Sequence, residues 1–463
     1  MKHEEQIKND TASQELTIEQ TSKTFCKIQS VTLIAFSVAL IPYLIFVLIG
    51  ALSNKGIVLY LKINFYVIAT ISMFLLALLP ITIFYRLKYL RQNRIKINVA
   101  AIAPLILLFF ALIYSVIATV MAGGGKVLIL GNSYNREGLL TVFMYAIFFL
   151  SAFFTTDPKV RKAVLITVVS VSVTTNFVLI LLKLFDAGAD NAILNRKIIN
   201  GLFNNSNHWG YYASFTAIIA ACGIVYFKKI AHTVLSSIAL AVTLTALLIS
   251  HTLGSNIAFL LGLIFIYITY FLSGRKLSYR LILPIAISLV VFLVSELTSF
   301  STIIAEYIDL IGDIGDVSQS GATSESGGQA GSGRMKLWLG ALETMKAYPW
   351  FGKGLDVYYS EIFPYDMPHN EYLQIASGVG IPTLVLYLAA ILYTYFYALF
   401  NRKKLSSTAL ICLTASFTYC VSAFFGNTFH YTYPYFLMSL AFSLRELTDV
   451  DADIKSVNPI VSN

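Results

Sequence analysis

His369 is the residue in this sequence best suited to moving a proton. An imidazole ordinarily titrates near neutrality and can take a proton from a hydroxyl at physiological pH. His369 follows a proline, sits among Asp366, Glu371 and several tyrosines, and immediately precedes an apolar segment that would hold it near a membrane surface. From spacing alone a plainer role stays open, in which it caps the next helix or belongs to an aromatic belt. His208, in the run NNSNHWGYY, is a second candidate, with N-capping and packing as the competing reading. His251 and His430 carry weaker signals, and His3 and His232 are cytoplasmic on the topology predicted below. Three arginines, Arg136, Arg196 and Arg334, lie in polar segments away from those clusters. A guanidinium is a planar fork that pairs two oxygens and never loses its charge, which suits a phosphate or pyrophosphate. Lipid headgroups would satisfy it equally well.

Other chemistries find little support. The four cysteines, Cys26, Cys222, Cys412 and Cys420, lie in or beside apolar segments with neither a zinc spacing nor a disulfide framework. The expectation is therefore no metal and no cofactor. There is no P-loop, nucleotide-binding glycine pattern or Ser-His-Asp order. Asp451-Ala452-Asp453 spells a DxD, but in a short tail with no domain around it, and Gly352 to Gly354 reads as a plain turn.

The elements that must position these residues are membrane helices. With 57% hydrophobic and 12% charged residues in 463, the chain has more apolar surface than a soluble core can hide. Windows of about 19 residues predict spanning helices near 29–51, 63–85, 97–121, 138–154, 163–184, 208–227, 231–250, 255–273, 281–300, 374–400, 406–425 and 431–445. The net charge of +9 comes from short clusters between these segments, such as Arg86 to Lys96, Lys159 to Lys162, Arg275 to Arg280 and Arg402 to Lys404. Such clusters mark cytoplasmic loops rather than a basic face, so no nucleic acid is expected as a partner.

The predicted fold is an all-α polytopic membrane protein of about 12 transmembrane helices with one large extracytoplasmic loop containing short amphipathic helices. Residues 1–28 read as a cytoplasmic tail, 29–300 as the first nine helices, 301–373 as the large loop, 374–445 as the last three helices and 446–463 as a second cytoplasmic tail. Within the loop, the Gly- and Ser-rich part at 312–333 reads as a flexible tether and 334–373 as the site-bearing part. From Arg334, residues Met335, Leu337, Trp338, Leu342, Met345 and Trp350 recur at roughly helical spacing, as in an amphipathic interfacial helix.

Three stretches together resemble the O-antigen ligase and O-antigen polymerase superfamily of bacterial membrane glycosyltransferases. They are GLFNNSNHWGYY at 201–212, the Arg334 to Trp338 stretch leading into PWFGKGLDVY, and HNEYLQIASGVGIPTLVLYL from His369. The resemblance implies a metal-independent transferase of the bacterial cytoplasmic membrane, acting on its outer side on a glycan carried by undecaprenyl pyrophosphate. Surrounding membrane lipids would be its solvent, and no nucleotide sugar would be needed. By the same resemblance, Arg334 and Arg196 would bind the donor pyrophosphate, with Arg136 as a third cation. Asn207 and His208 would shape the donor site, and His369 would activate the hydroxyl of a glycan or lipid acceptor. Ligases often carry leucine four residues after the loop arginine, where this chain has Trp338, which leaves ligation or polymerisation open. A rival reading of another class is a transporter or flippase for lipid-linked oligosaccharides. Its charges would be expected deep in the membrane path, whereas here the suspect groups gather at one face.

Overall fold

A computed structural model describes residues 20–21, 23–44, 56–131, 136–185, 206–298, 303–309, 311, 334–356, 367–427 and 431–450, and the statements below concern these residues. In chain order the helices are α1 (Lys23–Leu44), α2 (Gly56–Gln92), α3 (Val99–Met121), the short α4 (Lys126–Leu130), α5 (Leu139–Phe153) and α6 (Pro158–Phe185). They continue with α7 (Ser206–Tyr226), α8 (Ile230–Ile249), α9 (Leu253–Leu272) and α10 (Ile282–Leu297). Beyond residue 333 come α11 (Arg334–Ala347), within the segment expected as the large loop, then α12 (Glu371–Val379), α13 (Ile381–Phe400), α14 (Ser407–Ser422) and α15 (Tyr433–Thr448). One two-residue antiparallel pairing joins Lys96–Ile97 to Asp449–Val450, tying the end of α15 to the α2–α3 connection.

Each of the twelve predicted segments overlaps a helix, but among the described residues ten are long and apolar enough to cross a membrane. The other two, α5 and α15, have 15 and 16 residues and rise only about 23 Å, short of a hydrocarbon core of roughly 30 Å. The reason is visible in α15, which is buried along nearly its whole length against α5 and α14. A helix enclosed by protein need match neither the thickness nor the apolarity of lipid.

The centre of the bundle is α7, whose whole length is buried and which packs on α6, α8, α9 and α14. Its small residues permit this close approach. A Cβ on Gly210 would lie 2.6 Å from the Thr252 side chain, and one on Gly223 would lie 2.5 Å from the Ser236 hydroxyl. A polar network fixes its rotation. The Trp209 indole donates to Asn176 Oδ1 at 2.8 Å, the Asn176 amide donates to Ser172 Oγ at 3.0 Å, and Ser172 shares a 2.8 Å hydrogen bond with Thr216. Inside a low-dielectric bundle such a satisfied network holds one register strongly. It thereby sets where Asn207 and His208, in the first turn of α7, can face.

The stretch expected as one helix at 374–400 is broken in two at Gly380. That residue has φ +91 and ψ 158, a region that L side chains rarely enter. A Cβ there would sit 1.9 Å from the Trp350 carbonyl oxygen. The break receives the turn that follows α11. Ile381 N–H donates to Pro349 O at 2.9 Å, Lys353 N–H to Ser377 O at 2.8 Å and Gly354 N–H to Gly378 O at 2.9 Å. The Gly352–Gly354 turn is thus a docking device joining the loop to the bundle.

Candidate functional site

His369 stands one residue before the cap of α12. The Asn370 side chain accepts from the backbone N–H groups of Tyr372 and Leu373 at 3.0 and 3.1 Å, and so starts the helix. Just before His369, the Pro368 carbonyl accepts from the Trp338 indole of α11 at 2.8 Å. Held from both sides, His369 adopts φ +47, an unusual value for a side chain with a Cβ. Trp338, the departure from the ligase pattern, therefore has a definite task in anchoring the residue before the histidine. The same helix shows that the spacing overstated the buried face. Ala341 and Thr344 are buried, while Leu342 and Trp350 are exposed.

Glu371, the first residue of α12, is completely buried and accepts from Tyr387 of α13 at 2.6 Å and from Tyr419 of α14 at 2.7 Å. The Tyr372 hydroxyl donates to the Cys420 carbonyl at 2.6 Å. Two membrane helices, α13 and α14, thus meet α12 at the root of the His369 segment. A second buried acid, Glu137, accepts from Tyr145 at 2.8 and 3.0 Å, and its own N–H donates to Asp356 Oδ2 at 3.2 Å. Tyr433 lies between the two acids, its ring 4.7 Å from Tyr145 and 5.9 Å from Tyr419. Glu137, Tyr145, Tyr387 and Tyr433 also line a cavity of about 180 Å³, whose other walls are mainly apolar side chains of α3, α5 and α12, with Ser115, Gln374 and Thr383 as further polar groups.

Four of the residues singled out from sequence come together. The Arg334 guanidinium, at the start of α11, donates to Asn207 Oδ1 at 3.3 Å. Arg334 also acts electrostatically on His369 and on Tyr211, and His369 on His208. The His208 ring stands edge-on to Tyr211 and Tyr431, at 6.0 and 5.6 Å. No acidic residue occupies the first turn of α7, so its N-terminal dipole adds to the positive field of Arg334. Burial, and then the Arg334 charge, push the His369 pKa down to about 4. The imidazole is therefore neutral at pH 7 and able to accept a proton.

Asn427, in the short link after α14, supplies what orients that imidazole, and it escaped the sequence reading. Its Nδ2 is 3.5 Å from His369 Nδ1, while its buried Oδ1 has no partner. Turning the amide over, an assignment made by hydrogen-bonding logic, lets Oδ1 accept from Nδ1–H. That satisfies the orphan oxygen and leaves the lone pair of the neutral ring on Nε2. Nothing in the sequence marked Asn427 beyond its place after Gly426, between two apolar segments. Glu371 was visible beside His369, but its burial was not.

The Arg136 guanidinium lies over the Phe65 and Tyr66 rings of α2, 5.2 and 5.8 Å from their centroids. Arg196, His430 and the Asp451 to Asp453 motif lie outside the described residues. His251 pairs with Glu306 at 2.6 Å. Among the described residues no three His, Cys, Asp or Glu side chains converge as metal ligands.

Fold and site together define a multi-pass α-helical membrane protein with a polar, cationic site at one end of its bundle. Residues 238–388 match the family model described as O-antigen ligase, which supports the O-antigen ligase and polymerase superfamily that the motifs resemble. No curated protein matches the chain. The match supports a membrane enzyme of the glycosyltransferase or ligase type with a role in surface polysaccharide assembly. The matched stretch contains Arg334 and His369, whereas Asn207, His208 and Asn427 lie outside it and reach the site through folding.

Proposed function

We propose that this protein transfers a glycan from undecaprenyl pyrophosphate to the hydroxyl of a glycan or lipid, outside the cytoplasmic membrane and without a metal. The observation that carries this reading is the meeting of Arg334, Asn207, His208 and His369, drawn from three separate segments. His369 Nε2 takes the acceptor proton as that oxygen attacks the anomeric carbon. The bond from that carbon to the pyrophosphate oxygen breaks, and the lipid pyrophosphate leaves with its charge met by Arg334. Arg196 and Arg136 are proposed as further cations for the donor. Because pyrophosphate is a good leaving group, a positioned base worth roughly 10²- to 10⁴-fold, together with electrostatic stabilisation, suffices. The apolar cavity beside the tyrosine cluster offers walls compatible with a prenyl chain.

The test is transfer by purified, detergent-solubilised protein given a lipid-linked oligosaccharide and an acceptor, with chelator present throughout. His369→Ala should lower the rate by roughly 10²- to 10⁴-fold with an unchanged size-exclusion profile. Near-normal transfer by that variant would sink the assignment. Activity without a second compartment would also set aside transport as the sole function. Whether the product grows by single units or one finished glycan is moved distinguishes polymerisation from ligation.

A further inference from the structure

The far end of α7 forms the floor of a second groove, of about 350 Å³, between α6 and α8. Its first α7 wall residue, Ile219, lies about 17 Å along the helix from His208, and Phe227 at its cationic rim about 29 Å, so the groove's headgroup end is remote from the Arg334 cluster. Leu165 and Val169 of α6, Gly223 of α7, and Leu235 and Ala239 of α8 wall it, and no carboxylate lines it. Ile166, Leu235 and Ile238 are exposed along its mouth, so it opens sideways into the bilayer. From Lys162 to Thr174 it runs along α6 for about 18 Å, slightly more than half of a roughly 30 Å hydrocarbon core. That is the depth of one leaflet.

The rim is cationic. Lys162 Nζ lies 4.6 Å from the Phe227 ring, the His232 imidazole stands edge-on to the same ring at 5.5 Å, and Lys162 and Lys229 both act electrostatically on His232. The arginines nearby are engaged. Arg161 pairs with Glu446 at 2.9 Å, Arg280 donates to the carbonyls of Phe227 and Lys228, and Arg275 donates to Ser407 and lies over Tyr226. Among the described residues, Lys162 and Lys229 have no carboxylate at ion-pairing distance. A cationic rim without a counterion above an apolar groove one leaflet deep complements a molecule with one anionic head and an apolar tail. Basic pockets between membrane helices hold anionic lipid headgroups by this chemistry.

We propose that this groove binds an anionic glycerophospholipid, with one acyl chain between α6 and α8 and its phosphate at Lys162, His232 and Lys229. A zwitterionic lipid would offer the same chain but no net charge, and free phosphate would leave the apolar walls unused. The proposal is independent of glycosyl transfer.

Native mass spectrometry of the full-length protein in detergent, with phosphatidylglycerol and phosphatidylcholine of matched chains, tests it. Wild type should retain phosphatidylglycerol preferentially. Each of Lys162→Ala and Lys229→Ala should weaken that retention by about fivefold, and Lys162→Arg should restore it. Ser170→Phe, on the exposed wall of the groove, should reduce retention of both lipids. Equal retention of the two lipids by wild type, or unchanged preference in the alanine variants, would overturn the proposal. Displacement of the lipid by millimolar inorganic phosphate alone would also overturn it, because the site would then be a simple anion pocket.

Discussion

At the scale of single residues, the proposed role of His369 as the base makes its titration the first quantity to measure. Its pKa of about 4 comes from burial and from the Arg334 charge, so the proton-accepting form persists down to that pH and is lost as pH falls through it. The acid limb of kcat/KM, which reports the free enzyme, should therefore lie near pH 4 rather than near 6.5. A bound pyrophosphate brings negative charge to Arg334 and should raise the His369 pKa, so the acid limb of kcat should appear at higher pH. Coincident limbs near 6.5 in both profiles would contradict this account. Asn427→Ala should lower kcat about tenfold or more with little change in donor KM, since it removes the orienter and not the donor contacts. Asn427→Asp should recover most of the rate and move the acid limb upward, because a carboxylate beside Nδ1 favours the protonated ring. His369, Arg334, Asn207 and His208 were legible because their residue types stand out at the ends of apolar segments. Asn427 was not, since its role depends on a 58-residue separation closed only by folding.

At the scale of elements, α11, the turn after it, α12 and α13 act as one clasp. Three backbone hydrogen bonds lock the Pro349–Gly354 turn onto the break at Gly380, Trp338 secures Pro368, and Glu371 secures the start of α12 to α13 and α14. Gly380→Ala should lower stability by at least 1–3 kcal/mol from the backbone conformation alone, with more from the collision with the Trp350 carbonyl. Thermal unfolding of the detergent-solubilised variant measures this, and an unchanged midpoint would refute the strain argument. Hydropathy located the helices because lipid exposure forces apolar runs. It missed the break because Ile381 and its neighbours are apolar on both sides of Gly380, and period and hydropathy do not register φ. It likewise overstated the apolar face of α11, since Trp338 is held through its indole N–H and Leu342 stays outside.

At the scale of the whole molecule, the cationic loops and the His369 cluster lie at opposite ends of α7, and the proposed orientation, drawn from the positive-inside rule, has the first end cytoplasmic. With Cys26 replaced by serine, a cysteine at the exposed Lys346 should react in intact cells with a membrane-impermeant maleimide, and one at the exposed Lys403 only after permeabilisation. The reverse pattern would place the site in the cytoplasm and end the proposal of lipid-linked transfer outside the membrane. The bundle also holds its tryptophans in a useful arrangement. Of the three in the sequence, Trp209 is fully buried beside His208 and Trp338 is bound to the residue preceding His369, while Trp350 is 67% exposed. The protein therefore carries its own optical probes. Iodide should quench mainly the red-edge emission of Trp350, leaving the blue component from Trp209 and Trp338 to register occupancy of the site without any label.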